Sequence, residues 1–121
     1  FEFRSTLAGD DSRFVYISDV SSIPDGVMKI LKEGPRPKVL VLDLLKRLPH
    51  FSHFGLEQTL EATKEIGAAR TLFVGMTCSI GDHDKMNEEL AQWGEEHGLD
   101  VSLAHDGLLL PYDEWSNPEG A

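Results

Sequence analysis

The chain has 121 residues, 40% of them hydrophobic, which fits one domain able to bury a core. Its formal charge is −10, from 21 acids against 11 bases. Non-specific nucleic-acid binding needs bases to neutralise phosphates, so that balance argues against a general nucleic-acid binder. No run approaches the roughly 20 apolar residues of a membrane span, so no membrane partner is expected.

Phe1 to Thr6 alternates apolar and polar and reads as a strand. Leu7 to Arg13 holds Gly9, Asp10, Asp11 and Ser12, which is turn chemistry, and Phe14 to Ile17 reads as the antiparallel partner of a hairpin. Ser21 or Ser22 can cap a short helix with Pro24 in its first turn, an apolar face of Val27, Ile30 and Leu31, and Gly34 as its stop. Pro35 and Pro37 then force an extended connection.

Lys38 to Leu42 is a short, continuously apolar strand, the pattern of burial on both faces. Leu44 to Phe54 reads as a loop, and Leu56 to Ile66 as a helix ended by Gly67, with Leu56, Leu60 and Thr63 on one stripe. Arg70 to Val74 is the next strand, followed by a small-residue loop from Gly75 to Gly81. Asp82 or Asp84 can cap a helix that buries Met86, Leu90 and Trp93 and stops at Gly98. Val101 to Ala104 and Leu108 to Leu110 read as final strands around the turn His105-Asp106-Gly107. The order β-β-α-β-α-β-α-β-β predicts an α/β layered architecture over residues 1–110, with 111–121 as a tail. Tyr112 and Trp115 in that tail are expected to cover the domain itself.

Two apolar runs end in acids, Tyr16-Ile17-Ser18-Asp19 and Val39-Leu40-Val41-Leu42-Asp43. Parallel-type strands that finish in ligand-forming side chains are how open α/β sheets build sites at their carboxyl edge. His50 and His53 follow closely, in Pro49-His50-Phe51-Ser52-His53-Phe54. Carboxylates with imidazoles suit a hard or borderline divalent metal. Each has a plainer alternative: an Asx turn or cap at Asp19, a solvated helix cap at His83, and structural roles for His97 and His105. A phospho-accepting receiver domain would need a lysine at a later strand end, and Val74 and Ala104 bring none. The lone Cys78 allows neither an internal disulfide nor a cysteine-rich zinc site. It reads as a small buried or loop residue and is compatible with a cytoplasmic, reducing compartment. The start, Phe1-Glu2-Phe3-Arg4, has neither an initiator methionine nor the pattern of a signal peptide, so the chain reads as part of a longer one.

Taken together, the segments resemble the carboxyl-terminal half of a metallo-β-lactamase-fold hydrolase. The subgroup resembled is the phosphodiesterase-like branch with ribonuclease Z and the carbon–phosphorus lyase accessory phosphodiesterase. The carrying stretches are Val15 to Asp19, Val41 to Leu45, Pro49 to Gln58, Ala69 to Met76, Asp82 to Leu90 and Ala104 to Leu108. The resemblance implies half of an αββα sandwich and a two-metal site, Zn or Mn, that hydrolyses a small anionic or phosphodiester substrate. It implies that Asp19 bridges the metals and that His53 is the catalytic imidazole. Asp43 and His50 take supporting roles, and His83 becomes a metal ligand only if its loop folds inward.

Two departures stand against that pattern. The family's His-x-His-x-Asp-His signature is absent, and Gly75 stands where a last histidine ligand is usual, with Cys78 where relatives often carry another. The chain alone is therefore expected to be inactive, and to dimerise or pack against a missing amino-terminal segment. The alternative is a non-catalytic α/β interaction domain that lost its metal site. The metal reading requires Asp19 and His53 to meet within about 10 Å, the reach of a shared coordination shell.

Overall fold

The computed structural model describes residues 2–4 and 11–111. The first part of the expected turn from Leu7 to Arg13, up to residue 10, and the tail with Tyr112 and Trp115 lie outside the described residues. Strand β1 (Glu2–Arg4) pairs antiparallel with β2 (Arg13–Ile17), with Phe3 opposite Phe14. From β2 onward the strands are parallel: β3 (Val39–Asp43), β4 (Arg70–Val74) and β5 (Val101–Leu103). The sheet runs β1-β2-β3-β4-β5, so each crossover leads to the neighbouring strand. The crossovers hold helices α1 (Asp25–Lys32), α2 (Leu56–Ile66) and α3 (His83–His97). A short 3-10 turn, Cys78–Ile80, precedes α3.

Side chains alternate across a strand, and the register sorts them into two faces. Val15, Leu40, Leu42, Phe73, Val101 and Leu103 share one face and form a single buried cluster with Met28, Leu31, Ala62, Ile66, Met86 and Leu90 from the three helices. All three helices therefore cover the same side of the sheet. On the other face Val39, Val41 and Leu72 are buried, while Phe3 and Tyr16 at the β1–β2 edge are exposed. Every residue of β3 is buried, as its unbroken apolar run predicts.

Two local readings change. Helix α1 starts after Pro24, with no side-chain cap from Ser21 or Ser22, and buries Met28 and Leu31. Val27 and Ile30 instead face outward, at 44% and 52% exposure. Met28 and Leu31 join the core cluster, where α1 packs beside α2. Leu108–Leu110 is not a strand; the chain turns through Asp106 and Gly107 and continues without a ladder partner among the described residues. Of the two places open to Cys78, the structure gives the loop: it is exposed, at the start of the turn before α3.

A buried arginine, unread in the sequence, closes the hairpin end of the sheet. Arg13 is 2% exposed; its Nε donates to Glu2 at 2.6 Å, and its guanidinium reaches the carbonyls of Ile30, Glu33 and Pro35. These carbonyls lie at and beyond the carboxyl end of α1, where a helix leaves acceptors unpaired and favours a cation.

Candidate functional site at the carboxyl edge of β2 and β3

The parallel register sets Ile17 beside Leu42, so the residues that leave β2 and β3 emerge side by side. Asp43 is the last residue of β3 and is fully buried. Asp19 lies two residues beyond β2 in a left-handed conformation (φ 56°), with its side chain 84% exposed. Non-glycine residues seldom adopt that backbone, and such outliers gather where a side chain must be aimed.

His53 arrives from the loop between β3 and α2. That loop closes on itself: Leu45 N–H donates to Phe54, Leu56 N–H to Arg47, and Lys46 forms a parallel bridge with Gly55. A Cβ at Gly55 would stand 2.8 Å from the Leu48 and Pro49 backbone, so the loop can cross there only over glycine. Gln58 accepts the Gly55 N–H at 2.9 Å and anchors the start of α2. Arg47 grips Glu89 of α3 at 3.1 and 2.6 Å, and this bonding holds the Glu89 carboxyl below its usual range.

The three residues meet. His53 Nδ1 lies 3.0 Å from Asp43 Oδ2 and 3.6 Å from Asp19 Oδ1. A carboxylate only accepts, so Nδ1 carries the proton in the Asp43 bond and Nε2 is left for other chemistry. Asp43 Oδ2 also accepts the Phe54 N–H at 3.3 Å, and the Asp43 carbonyl accepts Thr59 Oγ1 at 2.7 Å. Asp43 Oδ1 is buried without a hydrogen-bond partner. A Cβ at Gly75, where φ is +83°, would stand 2.9 Å from that oxygen.

One donor atom from each of Asp19, Asp43 and His53 lies within 4.8 Å of the other two. Two carboxylates and an imidazole match the donor chemistry of a hard or borderline divalent cation, and the unpartnered Oδ1 leaves buried negative charge incompletely answered. The donors therefore fit such a cation. An open cleft of about 470 Å3 adjoins Asp19, walled by Tyr16, Ile17, Ile23, Pro24 and Val27.

His50 stacks on Phe51 with ring centroids 4.3 Å apart and stands 5.5 Å from the His53 ring, and its Nδ1 faces the N–H and hydroxyl of Ser52. His83 lies outside the three-residue group. Its Nε2 is 3.3 Å from the Ala104 carbonyl and its Nδ1 is 3.4 Å from Asn87, on the first turn of α3 behind the Asp82 cap. His97 binds the Trp93 carbonyl and His105 that of Asp106. Thr59 and Gly75 also belong to the site, and neither carries a sequence signal of it: one is a threonine inside a helix, the other a glycine after a strand.

This edge, on a sheet with helices along one face, has the architecture of part of a metallo-β-lactamase-type α/β sandwich. A solved structure described as a new diphosphatase from the PhnP family is similar to it, at 30% identity with a TM-score of 0.65. The match covers 80% of this chain and 33% of that one, so the chain spans about a third of that protein's length. No protein-family model matches the chain, and no curated protein matches it.

Proposed function

We propose that this chain carries one side of the active site of a metal-dependent hydrolase acting on phosphodiester or diphosphate bonds. The observation that carries the reading is the convergence of Asp19, Asp43 and His53 at one sheet edge. The likeness to a diphosphatase supports the reaction class. His53 is the reacting imidazole: Asp43 accepts from Nδ1–H and supports the imidazolium form, whose Nε2–H donates to the phosphoryl group or passes its proton to the leaving oxygen, leaving the neutral Nδ1–H ring. Asp43 fixes the ring's tautomer and orientation, and Thr59 fixes Asp43. Asp19, solvent-facing beside His53, is the carboxylate that reaches towards a divalent cation of the Zn or Mn class. Such a cation, when bound, supplies a Lewis acid and an activated water. The cleft beside Asp19 takes the non-reacting part of the substrate. Further ligands come from another chain segment or from a second copy.

The test is metal-dependent hydrolysis of bis(p-nitrophenyl) phosphate by the natural gene product, with the 121-residue chain in parallel. His53→Ala should lower the rate by about 10²–10⁴-fold with the fold intact. A His53→Ala protein that turns over as fast as the parent sinks the reading. A stably folded product with no turnover under any divalent metal favours the interaction-domain alternative.

A further inference from the structure

We infer that the cleft beside Asp19 selects the substrate by its ester group. It takes an uncharged, apolar group of about phenyl size and turns away a second phosphate, which makes phosphodiesters rather than diphosphates the substrate class. The inference rests on the hydrolase reading of the site and narrows it.

Position argues for it first. Asp19 is one wall of the cleft, and its Oδ1 is 3.6 Å from His53 Nδ1. A group esterified to a phosphorus near His53 therefore has the cleft within reach. The cleft measures about 470 Å3. That falls in the range of ligand clefts, roughly 300–1,000 Å3, and an apolar cavity of about 150 Å3 already admits a benzene ring.

The walls are apolar and anchored. Ile17 and Ile23 are half-buried and pack against the core cluster. Tyr16 and Val27 are 42% and 44% exposed, and a group covering them takes apolar surface out of water. The helical phase that sends Met28 and Leu31 into the core is what leaves Val27 for the cleft.

Charge is the second argument. Among the described residues the cleft has no lysine, arginine or histidine; Asp19 is its one charged side chain, and its other polar side chains are the hydroxyls of Tyr16 and two serines. The bases nearest in sequence are committed elsewhere. Lys29 and Lys32 of α1 line a different groove, with Glu33 and Glu65, and Arg13 is tied to Glu2 and three carbonyls. A second phosphate in the cleft would shed its water against apolar walls and face a carboxylate, with no basic side chain to answer it. An uncharged ester group meets no such penalty.

The experiment compares three probes by the methyl NMR signals of Ile23 and Val27, in the natural gene product and in the 121-residue chain. The probes are diphenyl phosphate, dimethyl phosphate of the same charge, and inorganic diphosphate. Diphenyl phosphate should shift those signals and bind at least about tenfold more tightly than dimethyl phosphate, while diphosphate leaves them in place. Val27→Lys, at a half-exposed helical position, should remove that preference and bring diphosphate into the cleft. Val27→Ala should weaken diphenyl phosphate binding more mildly, and melting curves show that each variant folds. Equal affinity for the two diesters, diphosphate shifts at Ile23 and Val27 in the parent, or a preference unaltered in both folded variants would overturn the inference. Hydrolysis of phenyl and methyl p-nitrophenyl phosphate tells the two readings apart. Preference for the aryl diester in binding, with no turnover under any divalent metal, keeps the cleft's selectivity and removes the hydrolase reading. Turnover that depends on His53 but is equal for the two esters keeps the hydrolase reading and overturns the selectivity.

Discussion

Asp43 and Gly75 are one structural unit, though one ends β3 and the other follows β4. A methyl group at position 75 would stand 2.9 Å from Asp43 Oδ1, on a backbone already at φ +83°. Gly75→Ala should therefore cost about 1–3 kcal/mol by thermal melting. It should also shift the His53 imidazole nitrogen resonances, because the displaced carboxylate is the partner of Nδ1. Unchanged His53 signals in a folded Gly75→Ala protein would show that the two are uncoupled. Arg13 makes a comparable case away from the site. Its side chain is 2% exposed and answers Glu2 and three carbonyls at once. Arg13→Met keeps the bulk and removes every one of those bonds. We expect a loss of about 3 kcal/mol in urea unfolding, the lower end for a broken buried pair because Glu2 still reaches water.

At the scale of elements, α2 and β3 are locked where the site needs them. Thr59 Oγ1 donates to the Asp43 carbonyl at 2.7 Å, and Thr63 Oγ1 to Thr59 in the next turn, both fully buried. Thr59→Val preserves shape and leaves a buried carbonyl short of a donor, so a loss of about 1–2 kcal/mol is expected by chemical denaturation. Strand β1 depends on charge instead. Burial alone would raise the Glu2 carboxyl, but the bonds and charges of Arg13 and Arg4 outweigh it and hold Glu2 below its ordinary value. A carboxyl depressed on folding adds stability above its unfolded pKa and loses it as pH falls through the folded one. Urea midpoints should therefore decline as pH drops below the ordinary glutamate value, and Glu2→Gln should flatten that decline. An equal acid slope in both proteins would assign the effect to other carboxyls.

For the whole molecule, charge opposes association. A net charge of −10 on 121 residues repels a second copy at low ionic strength. Exposed Phe3, Tyr16, Phe51 and Leu109 nonetheless offer apolar contact. If a second copy supplies further ligands, sedimentation should show self-association that strengthens from low salt to about 0.15 M, where the Debye length shrinks to about 8 Å. Association that weakens with salt would point to a cationic partner. No helix among the described residues is long and apolar enough to cross a membrane.

Periodicity and punctuation were enough for most of the elements. β4 and α2 fall where an apolar run and a terminal glycine put them, because local backbone preference and burial agree there. The same local signals put Val27 and Ile30 beside Leu31 on α1's buried face, but Met28 is apolar too, and packing turns it inward with Leu31 instead. Leu108 to Leu110 has the composition of a strand, but a strand exists only when another offers its ladder. Strand ends marked by acids, and a histidine before a helix, were legible as candidate chemistry from Asp19, Asp43 and His53 alone. Their meeting was not, since it depends on β2 and β3 lying parallel in one register and on a loop that closes over Gly55. Asp43's rank as the buried centre of the site, and His83's place outside it, were tertiary decisions for the same reason. Distance and burial are set by packing between elements, which no single segment encodes.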